Sequence, residues 1–286
     1  MAAPRPDRRA LLLGLAAAPL AACGSDGPAR VGRPPTRSPS PVPTATPAPR
    51  PAVAALGRIE ERYDAVVGVA AAGTGGLLLG HRAGSRFALC STFKPLLAAA
   101  LLDRDGPPDA RTRRLMADAV RDSDNDAANA LLAYLGGPAA LTAYLRGTGD
   151  GVTRLDRTEP ALNEHAPGDP RDTSTPAALA TTYSALLLGD ALPTGRRLLT
   201  DLLVASTTGE ARIRAAVPDG WRVGDKTGTG GHGSVNDVAV LWPPGRDPWV
   251  LAVLVRSRRA DGEVPEAAVA DAAAVAIRAV GRLSDA

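Results

Sequence analysis

Apolar positions along this chain fall into two kinds of segment, and their order predicts a fold. Residues 52–63 read as a helix. Val66–Ala72 and Leu77–Gly80 are apolar runs around Gly73-Thr74-Gly75-Gly76, the pattern of a hairpin. Ser91–Leu102 is a strongly apolar helix, broken by Gly106-Pro107-Pro108 before a second helix over Ala110–Arg121. Segments 125–135 and 138–146 read as helices divided by Gly136-Gly137-Pro138. Residues 153–175 carry prolines and charges without a period and read as a long loop. Pro176–Leu188 and Arg196–Ala205 are helical again; Trp221–Asp225, Val235–Trp242 and Trp249–Arg256 read as strands, and Pro265–Arg278 as an Ala-rich final helix. Strands at both ends and helices between them predict the α+β arrangement of the broad α/β class. One antiparallel sheet is flanked by N- and C-terminal helices and carries an all-helical lobe, with a cleft between sheet and lobe.

The first 51 residues follow neither period. Arg8-Arg9 precedes a short apolar run, Ala10–Leu20, and then Leu20-Ala21-Ala22-Cys23. This reads as an export signal, too short to span a bilayer. Leu-Ala-Ala-Cys resembles a lipobox, which would make Cys23 the lipidated first residue and place the protein on the outer side of the cell membrane; an ordinary cleaved signal leads to secretion instead. The paired arginines permit a twin-arginine route. Residues 24–51, rich in Pro, Ser, Thr, Ala and Arg, cannot build a core and read as a tether. The expected organisation is therefore signal 1–23, tether 24–51 and one folded domain over 52–286. Charge divides the same way. Residues 1–57 hold seven Arg and two Asp, a net of +5 in a chain of net +3, so the remainder is near −2. The basic balance belongs to the leader and argues against nucleic acid as a partner of the domain.

Candidate chemistry starts from lysine. Only two of the 33 basic residues are lysine, Lys94 and Lys226, and lysine, unlike arginine, can be tuned to act as a base. On a helix Ser91 and Lys94 share a face, about 5–6 Å apart at Cβ, so the lysine can take the proton that keeps a serine hydroxyl a poor nucleophile. A capped helix with a solvated lysine would give the same spacing. Ser123-Asp124-Asn125 lies between two helices, where each residue type also serves as an N-cap. Glu159-Pro160-Ala161-Leu162-Asn163 places a carboxylate and an amide four apart in the long loop, and Lys226-Thr227-Gly228-Thr229-Gly230 follows a strand and could be a turn. His81, His165 and His232 are scattered in loop-like sequence and read as solvated, so no metal is expected, nor any cofactor. With Cys23 lipidated, Cys90 has no disulfide partner.

Taken in order, Ser91-x-x-Lys94, Ser123-Asp124-Asn125, Glu159-Pro160-x-Leu162-Asn163 and Lys226-Thr227-Gly228 resemble the class A serine β-lactamases. The likeness runs from about residue 53 to 280 and includes Val152–Arg157, Arg171-Asp172-Thr173 and Gly220-Trp221. The resemblance implies a monomer acting on β-lactams, and it implies roles. Ser91 is acylated, with Lys94, or Glu159 through water, as base; Ser123 relays a proton to the lactam nitrogen. Asn125 binds the substrate amide, and Glu159 with Asn163 activates the deacylating water. Lys226, Thr227 and Gly228 face the substrate carboxylate. The N–H groups of Ser91 and Thr229 form the oxyanion hole. Arg212, fourteen residues before Lys226, supplies a second cation for the carboxylate, as in actinobacterial members. Asp124 organises backbone, Arg157 and Asp172 close the loop as an ion pair, and Gly230 occupies the position where some carbapenem-hydrolysing members carry a cysteine partner for Cys90.

One departure is large. Ser91 and Ser123 are 32 residues apart, roughly 30 fewer than in typical members, which removes part of one cleft wall and implies a more open site. Two other activities share parts of the pattern: a D-alanyl-D-alanine peptidase or esterase, and a weakly active, tethered penicillin-binding module. The Glu159/Asn163 pair argues against the peptidase because it serves deacylation.

Overall fold

The computed structural model describes residues 47–166 and 168–284, so the signal, Cys23 and most of the tether lie outside the described residues. Helix α1 spans Arg50–Arg62, and Ala48 is already buried with Pro47 bridging to Gly80. Residues 47–51, read as the end of the tether, thus pack on the domain.

Strands β1 (Ala65–Gly73), β2 (Gly76–His81), β5 (Arg222–Gly230), β6 (Ser234–Trp242) and β7 (Trp249–Ser257) form one antiparallel sheet in the order β2-β1-β7-β6-β5. Successive side chains of a strand point to opposite faces, and here both faces are covered. Ala70, Ala72, Val238, Val240, Val250, Ala252 and Leu254 pack toward the helical lobe. Their neighbours Val69, Ala71, Ala239, Leu241, Leu251 and Val253 pack under α1 and α9 (Ala267–Ser284). Continuous apolar runs rather than alternating ones are what a doubly covered sheet requires.

The lobe contains α2 (Lys94–Asp105), α3 (Ala110–Arg121), α4 (Asn125–Leu135), α5 (Pro138–Gly147), α6 (Pro176–Leu187) and α7 (Arg196–Val204). Its centre is α2, which is buried from Lys94 through Leu102. Gly136 in a left-handed conformation ends α4, and Pro138 in the first turn opens α5, as the Gly-Gly-Pro break predicts. Only residues 106–109 join α2 to α3.

Three expectations are corrected. Strand β5 does not stop at Asp225 but continues through the Lys-Thr-Gly motif to Gly230, because every residue from Arg222 to Gly230 pairs with β6. The loop over 153–175 is organised: β4 (Thr173–Ser174) pairs with β3 (Phe87–Ala88), and Ala161–Asn163 forms a 3-10 turn. The histidines are not all solvated, since His165 is buried and His81 packs beside the buried carboxylate of Glu60.

Candidate active site

Ser91 sits in a 3-10 turn, Cys90–Phe93, that feeds directly into α2, so its side chain and Lys94 are fixed by one short rigid segment. Cys90 before it takes φ +46°, a left-handed conformation unusual for a side-chain-bearing residue. Ser123 also lies in that region at φ +62°. Backbone of this kind concentrates at functional sites because the surrounding structure holds it there. Asp124 caps α4 through the N–H of Ala127 at 2.6 Å, the structural role expected of it.

These segments converge. The Lys94 ammonium is fully buried and donates to the Ser123 carbonyl at 2.7 Å and to Asn125 Oδ1 at 2.6 Å, with Glu159 Oε1 at 3.5 Å. Burial pulls the Lys94 ammonium below its ordinary range, opposed by Glu159. The Ser91 hydroxyl donates to Glu159 Oε1 at 3.4 Å, a long bond, and Asn163 Nδ2 donates to Glu159 Oε2 at 2.5 Å. One carboxylate therefore touches the serine, the lysine and the amide. Lys226 Nζ reaches Ser123 Oγ at 2.9 Å, tying β5 to the start of α4. Burial, with Lys94 nearby, pushes the Lys226 ammonium down to about 7. Thr227 shares a 2.7 Å hydroxyl contact with Thr208.

Strand β5 approaches the serine turn closely enough that only glycine fits. A Cβ on Gly228 would lie 3.1 Å from the Leu89 carbonyl oxygen and 3.2 Å from the Ser91 nitrogen. This lays β5 directly alongside the Ser91 backbone nitrogen, next to the Thr229 that follows Gly228. Cys90 is a buried free thiol pushed up to about 12 by burial. Its Sγ would lie 2.7 Å from a Cβ on Gly230, so the thiol packs directly against β5.

Arg212 is buried rather than pointing freely into the cleft. It donates to the carbonyls of Gly228 and Asn236, to Thr229 Oγ1 at 2.7 Å, and pairs with Glu266. Its cation thus stands behind Thr229 instead of beside Lys226 alone. The loop bearing Glu159 is closed by Arg157 and Asp172, 2.6 Å apart with Asp172 fully buried; Asp172 also accepts from the N–H groups of Asp156 and Arg157.

Sequence reasoning passed over Asn129. Its amide donates to the Glu159 carbonyl and accepts from the Glu159 N–H, at 2.9 and 3.0 Å. The available signal was its spacing, four residues after Asn125 on the same helix face. Also passed over was a pair of buried acids, Asp225 on β5 and Asp237 on β6. Asp237 is pushed well above the carboxylate range by burial and by Asp225, which burial also raises against the pull of Arg214.

Comparison with known proteins agrees with this geometry. Residues 104–283 match a family model described as the beta-lactamase enzyme family. A beta-lactamase of Amycolatopsis lactamdurans is 46% identical over 78% of this chain and 83% of its own length. Beta-lactamase FAR-1 of Nocardia farcinica is 42% identical over 96% of each chain. The solved beta-lactamase of Desulfarculus baarsii superposes with a TM-score of 0.76 at 44% identity, covering 81% of this chain and 97% of that one. The Amycolatopsis alignment spans 252 positions but uses 78% of the 286 residues here, about 223, so the relative fills roughly 29 positions where this chain has none. That difference matches the size of the shortening read between Ser91 and Ser123. An ancestral class A enzyme of Gram-negative bacteria is likewise 46% identical with a TM-score of 0.73, over 80% of this chain and 99% of that one. With four motifs meeting around one serine and identity of this order across most of its length, the chain belongs to the class A β-lactamases.

Proposed function

We propose that the protein hydrolyses the amide bond of β-lactams through an acyl-enzyme on Ser91 and so confers resistance to these antibiotics. The observation that carries this reading is the Glu159 carboxylate, held at once against Ser91 Oγ and Asn163 Nδ2. In acylation Ser91 Oγ attacks the lactam carbonyl. Its proton passes to Lys94 or Glu159, the C–N bond breaks, and Ser123 delivers a proton to the departing nitrogen. The oxyanion rests on the N–H groups of Ser91 and Thr229. Asn125 binds the side-chain amide, and Lys226 and Thr227 bind the carboxylate, with Arg212 acting through Thr229. In deacylation Glu159 takes a proton from a water shared with Asn163, and that water attacks the ester. A peptidase or esterase built on the same serine and lysines must also discharge its acyl-enzyme; what favours the β-lactam hydrolase is that a carboxylate and an amide are held together beside the serine, where they can prime a water for that step.

A chromogenic cephalosporin separates the readings. Steady hydrolysis is expected; a stoichiometric burst without turnover would indicate a binding module, and no reaction an esterase. For the whole protein, the Leu20-Ala21-Ala22-Cys23 leader supports anchoring through lipid on Cys23, and the family resemblance supports a monomer.

A further inference from the structure

The segment between α7 and β5 reaches the site without belonging to any of its four motifs. Thr208 shares its hydroxyl contact with Thr227, and Arg212 donates to Thr229 Oγ1. Both partner threonines lie on the stretch of β5 assigned to the substrate carboxylate. Helix α8 (Ile213–Ala216), which follows Arg212, has only four residues, too few to hold a position by its own hydrogen bonds. Arg212 stands at its N-cap and makes no side-chain cap for it. The start of α8 must therefore be fixed from outside the helix.

Two acids on the sheet do this. Thr227 pairs directly with Asp237 across β5 and β6, and Asp225, two residues before Thr227, shares that face. Both acids are fully buried. Asp225 pairs with Arg214, and Gly209 packs so closely on Asp225 Oδ2 that no Cβ fits between them. Asp237 Oδ2 accepts from the Ile213 N–H at 3.0 Å, one of the donors that a helix start leaves without an internal partner. Asp237 Oδ1 is buried with no partner among the described residues, so the Ile213 bond is the side chain's directional contact. The guanidinium end of Arg212 is held by the Gly228 and Asn236 carbonyls and by Glu266; Asp237 holds its backbone end. Burial and Asp225 push the Asp237 carboxyl well above the carboxylate range, against the Ile213 bond, Arg212 and Lys226. A neutral acid anchors the backbone without setting a negative charge beside the cations that serve a substrate carboxylate.

We infer that Asp237 is a positioning residue for the substrate carboxylate: by holding Ile213 it sets Arg212 behind Thr229. It touches no substrate atom. Its influence runs through the Ile213 N–H to the adjoining Arg212 and from the guanidinium to Thr229 Oγ1. The inference rests on the β-lactam reading above and adds to it a buried residue outside the four motifs.

The test compares a chromogenic cephalosporin with its methyl ester, which lacks the carboxylate. In Asp237→Ala the KM for the free acid should rise roughly tenfold while kcat changes less than about threefold, the signature of lost uniform binding. The KM for the ester should stay at the wild-type value. Asp237→Asn keeps a neutral acceptor for Ile213 and should match wild type on both compounds. Asp237→Ala should add nothing to the KM of Arg212→Ala, because the two residues act in series. Asp237→Ser, too short to reach Ile213, is read the same way if the alanine variant does not fold. An equal rise for acid and ester, or additive KM effects with Arg212→Ala, would overturn the inference and leave Asp237 a purely structural residue. No hydrolysis of the acid by wild type would overturn the β-lactam reading itself, and the inference with it.

Discussion

At the residue scale, the site divides its work between two carboxylate-facing lysines and one carboxylate. Glu159 is the only one of these groups that contacts both the nucleophile and Asn163. A positioned general base contributes about 10²–10⁴-fold, so Glu159→Ala should still be acylated on Ser91 but release product slowly. Stopped-flow kinetics should show a burst of about one equivalent before a much reduced steady state, and mass spectrometry an adduct on the Ser91 peptide that Ser91→Ala lacks. Lys226 makes a different prediction. Its pKa near 7 means it is charged below that pH and neutral above it, and a substrate carboxylate needs the charged form. kcat/KM should therefore fall as pH rises through about 7. In Lys226→Arg, where the cation cannot be lost, that basic limb should disappear whatever the absolute rate; an unchanged limb would assign it to another group.

At the element scale, the loop carrying Glu159 is held by contacts that the sequence displays unevenly. Arg157 and Asp172 were legible through the family resemblance, which implies an ion pair closing this loop. His165 was not: nothing in its sequence neighbourhood shows that the turn between β5 and β6 closes over it, with the Gly231 N–H bonded to the Asn163 carbonyl. Burial lowers the His165 pKa, helped by His232, Arg157 and Arg256 and opposed by Asp169. A histidine lowered in the folded state binds its proton first in the unfolded chain, so stability falls as pH drops below about 6.5 toward the folded value. The loss of Tm between pH 7.5 and 5.5 should be smaller in His165→Gln than in wild type. The same contrast explains the strands. β6 and β7 were legible from Val, Leu and Ala runs, whereas Gly228 and Gly230 interrupt the strand signal of Thr227 and Thr229, and the segment is held extended by its pairing with β6. Asn129 carried no motif at all; its function depends on where the loop lands.

At the scale of the whole molecule, the layered plan was readable because periodicity reports burial, and a sheet covered on both faces leaves a strong record. The boundary at residue 52 was placed late because Pro47–Arg50 look like tether in composition and pack only through tertiary contact. Beyond the described residues, Cys23 yields a direct expectation: wild type should fractionate with membranes, while Cys23→Ala is released or unprocessed. Identical fractionation would remove the anchor.

The pairing of β1 with β7 has a consequence in time. Val67 meets Val255 across the sheet, so the second edge of β1 stays open until the last strand has been made. Contacts this distant in sequence pay a large loop-closure entropy before they stabilise anything. The helical lobe can collapse early around α2, but β5 is held against the serine turn by a sheet that is incomplete without β7. Catalytic competence should therefore arrive abruptly at the end of synthesis. A chain ending at Pro243 should retain helical circular dichroism while showing no acylation, and a separately supplied peptide covering residues 244–286 should be the smallest addition able to restore it.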